Sequence, residues 1–259
     1  MKVAFILQSA CFSHTGSRRG GNEDNFFFNG ICMEEEHRST HDPLLLEQVL
    51  RDDLCLAIFD GMGGENDGES ASFAAAAALQ KLEQTQKQFY QSGGKYLANL
   101  TQELNAAVFR KSCERMTDHM GTTMAMLYFT GSHVYACNVG DSRIYRLRES
   151  VFAQLSQDDW ASGRGTEGKA PLTQYLGMDP EDVRIEPHIG KGHLRSGDIY
   201  LLCSDGLTDV VENIVISEIL TKGKTPEDCA QLLRKAALDG GGKDDITAVV
   251  CRVRESETT

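Results

Sequence analysis

Five short stretches place carboxylates where packing alone does not explain them. They are Asn22-Glu23-Asp24-Asn25, Phe59-Asp60-Gly61-Met62-Gly63-Gly64, Val139-Gly140-Asp141-Ser142-Arg143, Cys203-Ser204-Asp205-Gly206-Leu207 and Gly242-Lys243-Asp244-Asp245-Ile246. Four of them end or begin an apolar, strand-like run and carry glycine or serine as a neighbour. Strand ends bring distant segments together, and glycine lets a backbone carbonyl approach a ligand closely. Taken singly, each stretch is an ordinary turn, because Asp-Gly is a common turn pair. Taken together, converging carboxylates repel one another and are costly without compensation. Only Arg19, Arg143 and Lys243 lie close to them in sequence. A hard divalent cation resolves the conflict, and all-oxygen ligation suits Mg2+ or Mn2+ rather than zinc.

The elements that must position these acids are legible in the periodicity. Strands are expected over 2–12, 25–32 and 54–59, and an acidic excursion over 33–53 is expected to end in a short helix after Pro43. Helices are expected over 69–88, where alanine dominates, and over 95–116, where apolar residues recur near helical period. A β-meander follows over 122–150, broken at Thr130-Gly131-Ser132 and Gly140-Asp141-Ser142. Residues 157–177 are polar and show no period. Strands return near 183–189 and 199–204, helices at 213–221 and 226–238, and a last strand at 246–253. The order predicts antiparallel sheets with helices on their outer faces rather than a doubly wound parallel fold.

The 259 residues, 41% hydrophobic and 25% charged, suit a globular chain with a sizeable core. No repeat or Pro/Ser-rich linker divides them, so one domain over 1–259 is expected. A net charge of −12 argues against nucleic acid and anionic membranes as partners. The eight cysteines form no Cys-x-x-Cys pair, and four sit inside apolar strands, which fits free thiols in a reducing cytoplasm. The N-terminal apolar run is broken by Gln8 and reads as a first β-strand, too short to span a membrane.

Seven motifs in order carry a resemblance: Arg19-Gly20-Gly21-Asn22-Glu23-Asp24, Phe59 to Gly64, Gly121-Thr122-Thr123, Asn138 to Tyr145, Leu172 to Gly177, Gly197 to Asp209 and Lys243 to Val250. From Thr15 to Val253 the chain resembles the metal-dependent Ser/Thr protein phosphatases of type 2C, the PPM family. Its Asp-Gly-Met-Gly-Gly form and lack of appended domains look like the bacterial branch. The resemblance implies an α+β fold, a four-layer α/β/β/α sandwich with two central antiparallel sheets and helices on both outer faces. It implies a centre of two divalent cations, Mn2+ or Mg2+. Asp60 would bridge them, Asp205 and Asp244 would complete one, and Glu23 with the Gly61 carbonyl would serve the other. Asp24 would hold metal-bound water, and Asp141 with Asp205 would hold a third, weaker metal. Arg19 would grip the substrate phosphate. A water between the two cations would attack phosphorus directly, so that phosphorylated proteins, the products of a Ser/Thr kinase, are the implied partners.

The chain departs from that family in several places. Asp245 stands where asparagine is common, and either adds negative charge near the metals or caps a turn. Met62 stands where eukaryotic members often carry histidine, so the leaving group must take its proton from water or another group. Residues 157–177, with Trp160, correspond to a flap beside the active site and look short. Residues 33–53 look like an insertion, with Glu34-Glu35-Glu36 as a solvated face. Arg19 could also simply pair with Glu23 or Asp24 on a surface loop. Two other readings compete. Cys-x5-Arg occurs at Cys32/Arg38 and Cys137/Arg143, but the first would set three glutamates in a phosphate cradle and the second runs through a strand turn. The other is a weak or inactive phosphatase-like sensor or scaffold, against which the complete set Glu23, Asp60, Asp205 and Asp244 argues. The seven histidines show no zinc pair, and a surface role is expected for them.

Overall fold

A computed structural model describes residues 4–63, 67–85, 93–117, 120–161 and 170–256. Gly64, His119 and residues 162–169 of the expected flap lie outside them. One sheet runs in the order β3 (Leu44–Val49), β1 (Phe5–His14), β12 (Ile246–Glu255), β11 (Ile199–Cys203), β8 (Arg143–Arg148), β9 (Val151–Gln154). The other runs β10 (His188–His193), β7 (His133–Val139), β6 (Met124–Thr130), β4 (Leu54–Met62), β2 (Asp24–Phe28), with the short β5 (Gly121–Thr122) also paired to β4. Neighbouring strands are antiparallel throughout.

Alternation along each strand divides the core into three apolar layers. Phe26, Phe28, Leu56 and Ile58 face Leu7, Tyr200, Leu202 and Val249 between the sheets. Phe27, Ala57 and Phe59 face outward onto α1 (Asp67–Thr85) and α2 (Gly93–Arg115) through Ala75, Leu79, Leu97 and Leu104. On the far side, Ala10, Phe12, Leu201 and Val250 meet Ile216 and Leu220 of α4 (Asn213–Lys222) and Leu233 of α5 (Pro226–Asp239). The result is the four-layer α/β/β/α sandwich. α5 begins as its sequence announces, with a capping box between Thr225 and Asp228 and Pro226 in the first turn.

Four local expectations need correction. The stretch after Pro43 is β3, not a helix: it pairs with β1 from Cys11↔Leu44 to Ile6↔Val49, and Leu44 and Leu46 pack against the inter-sheet core. Sheet pairing and burial override the helical propensity of three leucines. The strand expected near 183–189 starts only at His188. β9 was not expected; it closes a hairpin at Glu149-Ser150, whose φ of 49° and 67° give the primed turn that two-residue hairpins need. The helix expected over 95–116 ends at Arg115, and Met116 lies beyond it with φ 56° and is 92% exposed.

Three glycines hold the strand ends in contact. A Cβ on Gly61 would lie 2.0 Å from the Gly68 carbonyl oxygen, one on Gly16 2.4 Å from that of Asp244, and one on Gly206 1.9 Å from that of Asp245. At Gly206 the clash is with the Asp245 backbone, so relief requires the chain itself to shift. Gly206→Ala is expected to cost about 1–3 kcal/mol of stability, as overpacking does; urea denaturation of the metal-free protein measures it.

Candidate metal centre

The acids predicted from sequence come from both sheets and meet at one end of the sandwich. Asp24 and Asp60 are register partners across β2 and β4. Beyond Asp60 the strand continues through Gly61, whose N–H donates to the Glu23 carbonyl at 3.1 Å. The bare Gly61 backbone lets Glu23, Gly68 and this strand touch. Asp205 follows β11 as the first residue of the short helix α3 (Asp205–Thr208), and Ser204 just before it donates to Asp24 Oδ2 at 2.7 Å. Thr247 N–H in turn donates to Ser204 Oγ at 2.9 Å. Asp141, 7% exposed, lies in the turn between β7 and β8.

Asp60 is held by residues for which the sequence offered no role beyond a motif. Thr123 N–H and Thr122 Oγ1 donate to its carbonyl at 2.9 and 2.8 Å, and its own N–H donates to Thr123 Oγ1 at 3.1 Å. Thr123 Oγ1 also lies 2.7 Å from Ser142 Oγ, which ties the Asp141 turn to Asp60. The recognisable feature was two adjacent threonines at the start of a strand.

Arg19 spans two of the acids. Its Nε and Nη2 donate to Asp244 Oδ1 at 2.9 and 2.7 Å, and its Nη1 to Glu23 Oε2 at 2.7 Å. The pairing expected with Glu23 thus occurs, with Asp244 rather than Asp24 as the second partner. Asp245, 2% exposed, fills both of its alternatives: its two oxygens accept from Gly16 N–H and Glu23 N–H, both at 2.8 Å, and its negative charge bears on Asp24 and Glu23. Within the acidic run, Glu34 and Glu36 are exposed as expected. Glu35 is not: it accepts from Ser70 Oγ and from Lys111 Nζ at 3.0 Å, and against the pull of burial these bonds hold its carboxyl below the usual range. His37 is no free surface group either, since its two ring nitrogens lie 2.7 Å from the carbonyls of Asp24 and Glu34.

Burial and mutual repulsion together set the electrostatics. Burial, followed by the carboxylates of Asp205, Asp24, Asp141 and Asp244, pushes the Asp60 carboxyl well above its ordinary value. Burial and Asp245 do the same to Asp24, against hydrogen bonds from Ser204 and Thr247. Burial also raises Glu23, with Arg19 opposing, and Asp245. Among the described residues no three acidic, histidine or cysteine side chains are already arranged about one point as ligands. Arg19 draws Glu23 and Asp244 to itself instead. The donors that crowd together here are oxygen only, they raise one another's proton affinity, and they fit hard divalent cations. Cys137, by contrast, is fully buried and its thiol is pushed up to about 12 by that burial, which leaves no thiolate for cysteine-based chemistry.

The family model of protein phosphatase 2C matches residues 38–235, a span that contains Asp60, Asp141 and Asp205. The chain belongs to the protein phosphatase 2C family. The serine/threonine protein phosphatase PstP of Mycobacterium tuberculosis is 31% identical over 265 residues, covering 97% of this chain and 46% of PstP. The chain thus spans about half the length of that relative. The serine/threonine phosphatase stp of Listeria monocytogenes is 30% identical over 209 residues, covering 74% of this chain and 82% of stp. The solved catalytic domain of PstP, in complex with two manganese ions, is 31% identical with a TM-score of 0.72, over 96% of this chain and 99% of that one. In this protein phosphatase 2C chain, no helix among the described residues is long and apolar enough to cross a membrane.

The raised carboxyls give a pH dependence with a definite sign. A folded-state value above the unfolded one stabilises in acid, and that contribution is lost as the pH rises through the raised value. The metal-free protein is therefore expected to lose thermal stability from these groups as the pH rises above the ordinary carboxylate range and through their raised values. Mn2+ is expected to raise the unfolding temperature more at about pH 8 than at about pH 5, because protons compete for the same oxygens. Thermal scans of the wild type and Asp60→Asn check both, with a flatter pH response in the variant.

Proposed function

We propose that this chain is a protein serine/threonine phosphatase that hydrolyses phosphoserine and phosphothreonine with two divalent cations, Mn2+ or Mg2+. The observation that carries the reading is the position of Asp60 among Asp24, Asp141, Asp205 and Asp244, with like charges crowding one buried strand end. Asp60 would bridge the two cations, Asp205 and Asp244 would serve one, and Glu23 with the Gly61 carbonyl would serve the other. Asp24 would hold a bound water, and Asp141 with Asp205 a weaker third cation. Bound there, the cations would supply an acidified water as nucleophile and positive charge for the phosphoryl oxygens.

The protein's own residues do the rest. Thr122, Thr123 and Ser142 fix Asp60 without adding a competing cation. Ser204 orients Asp24 by donating to one of its oxygens. Arg19, half-exposed at the rim, offers the planar fork that suits a phosphate, exchanging one anionic partner for another. Residues 1–259 would form one catalytic domain, acting on phosphoproteins made by a Ser/Thr kinase. The unpaired cysteines suit a reducing cytoplasm.

Hydrolysis of p-nitrophenyl phosphate and of a phosphothreonine peptide tests the reading. Turnover is expected to need Mn2+ or Mg2+, to stop with EDTA and to survive thiol alkylation. Asp60→Asn is expected to reduce it by more than about a hundredfold while the protein stays folded. Retained turnover in that variant, or metal-independent turnover in the wild type, overturns the assignment; a folded wild type without turnover points to a sensor or scaffold. Arg19→Ala is expected to lower kcat/KM by about 10–100-fold, the worth of a charged hydrogen-bonding pair. Steady-state kinetics on the phosphopeptide measure it.

A further inference from the structure

Asp159 has no part in the chemistry described above, yet both of its carboxylate oxygens are engaged beside the Asp141 turn. It is 7% exposed. Its Oδ2 accepts from Gly140 N–H at 2.8 Å. Its Oδ1 accepts from His188 Nε2 at 2.8 Å and from Gln174 Nε2 at 3.2 Å. Its backbone N–H donates to the Gly140 carbonyl at 3.1 Å, and its own carbonyl accepts from Thr173 N–H at 2.8 Å.

These bonds join three parts of the chain. Gly140, with φ +89°, is the residue immediately before Asp141, and a Cβ there would lie 2.8 Å from Thr123 Cγ2. Thr123 is the residue that holds Asp60. Thr173 and Gln174 belong to the polar stretch 170–177, whose Leu176 exchanges two backbone hydrogen bonds with Thr122. His188 is carried by β10 as the register partner of Asn138 on β7, and Asn138 in turn binds Gln157 through both its side-chain oxygen and nitrogen. One buried carboxylate therefore grips the turn that bears Asp141, the polar stretch beside it and the edge strand behind it.

We propose that Asp159 is a positioning residue: with His188 as its donor it clasps the Gly140–Ser142 turn, and so sets where the Asp141 carboxylate stands relative to Asp60. The proposal rests on the reading of this site as a metal centre. A carboxylate suits the position because three N–H groups, from Gly140, His188 and Gln174, converge on its two oxygens. An asparagine keeps the shape but turns an NH2 toward either Gly140 N–H or the His188 and Gln174 donors. Either Gly140 N–H then loses its acceptor, or His188 must change tautomer and Gln174 must flip away from Glu186 N–H to accept. Coupling to the centre runs through Gly140, Thr123 and Asp60, each in contact with the next.

Hydrogen exchange and Mn2+ calorimetry on the whole chain test the clasp. In the metal-free protein, Asp159→Asn is expected to speed exchange in peptides covering 138–145 by about tenfold. It is expected to weaken Mn2+ binding by about tenfold. His188→Leu should reproduce both effects, whereas His188→Gln, which keeps an N–H donor, should stay close to wild type. Unchanged exchange in Asp159→Asn and His188→Leu overturns the clasp. Faster exchange with wild-type Mn2+ affinity leaves Asp159 a merely structural residue and overturns its role at the site. A wild-type protein that binds no Mn2+ instead overturns the metal-centre reading, and the positioning role with it.

Discussion

Like charges brought together at one buried strand end are the constraint on which this end of the molecule depends. Asp60 stands among Asp205, Asp24, Asp141 and Asp244, and burial adds to their repulsion. Nothing about the carboxylates themselves favours that arrangement, so the scaffold must impose it. The β2–β4 register does the first part by setting Asp24 opposite Asp60. A slip of one residue would turn Phe26 and Phe28 out of the inter-sheet core, so apolar burial far from the site fixes where the acids meet. Close backbone contacts at Gly16, Gly61 and Gly206 do the second part, bringing the remaining acidic segments to the same end.

The supporting groups are neutral for a physical reason. Thr122, Thr123, Ser142 and Ser204 donate or share hydrogen bonds without carrying charge, so they orient the acids and leave their negative field intact. A buried arginine or lysine would neutralise the field and remove the affinity for a cation. The arginine of the Asp141 motif follows this logic: Arg143 donates to both oxygens of Asp158, at 3.2 Å to Oδ1 and 2.7 Å to Oδ2, and is thereby held away from the acids. Arg19 is different because it lies at the rim, where exposure to water lets it change partners at modest cost.

How much of this was readable depended on whether the information was local. Strands that alternate between two apolar layers, such as β2 and β4, announce themselves, as does α5 with its Thr-Pro-Glu-Asp start. The acids were readable because four of the five stretches sit with glycine or serine at the end or start of such a run. β3 was not readable, since three leucines favour a helix until β1 supplies a partner. β9 was hidden because its primed turn uses Glu149-Ser150 rather than an Asn-Gly pair. The Thr122-Thr123 support and the grip of Asp159 on Gly140 link residues 19 to 63 positions apart, and nothing near them in sequence reveals the partner.

Two buried carboxylates that bind no cation in this reading, Asp245 and Asp159, show how the repulsion is contained. Asp245 spends both oxygens on backbone N–H groups, those of Gly16 and Glu23, and Asp159 spends one on the N–H of Gly140. Each therefore fixes a loop that presents an acid, Glu23 in one case and Asp141 in the other. Backbone N–H groups are suited to this task because they are fixed dipoles without net charge. They hold a carboxylate rigid without adding a positive charge that would neutralise the acids around it. Negative charge is thus used twice in the same place, once to attract a cation and once to fasten the loops that present the attracting groups. The second use is possible only because those loops expose N–H donors toward the interior. That is why the glycines matter at Gly16 and Gly140, where a side chain would force the donating backbone away from its carboxylate.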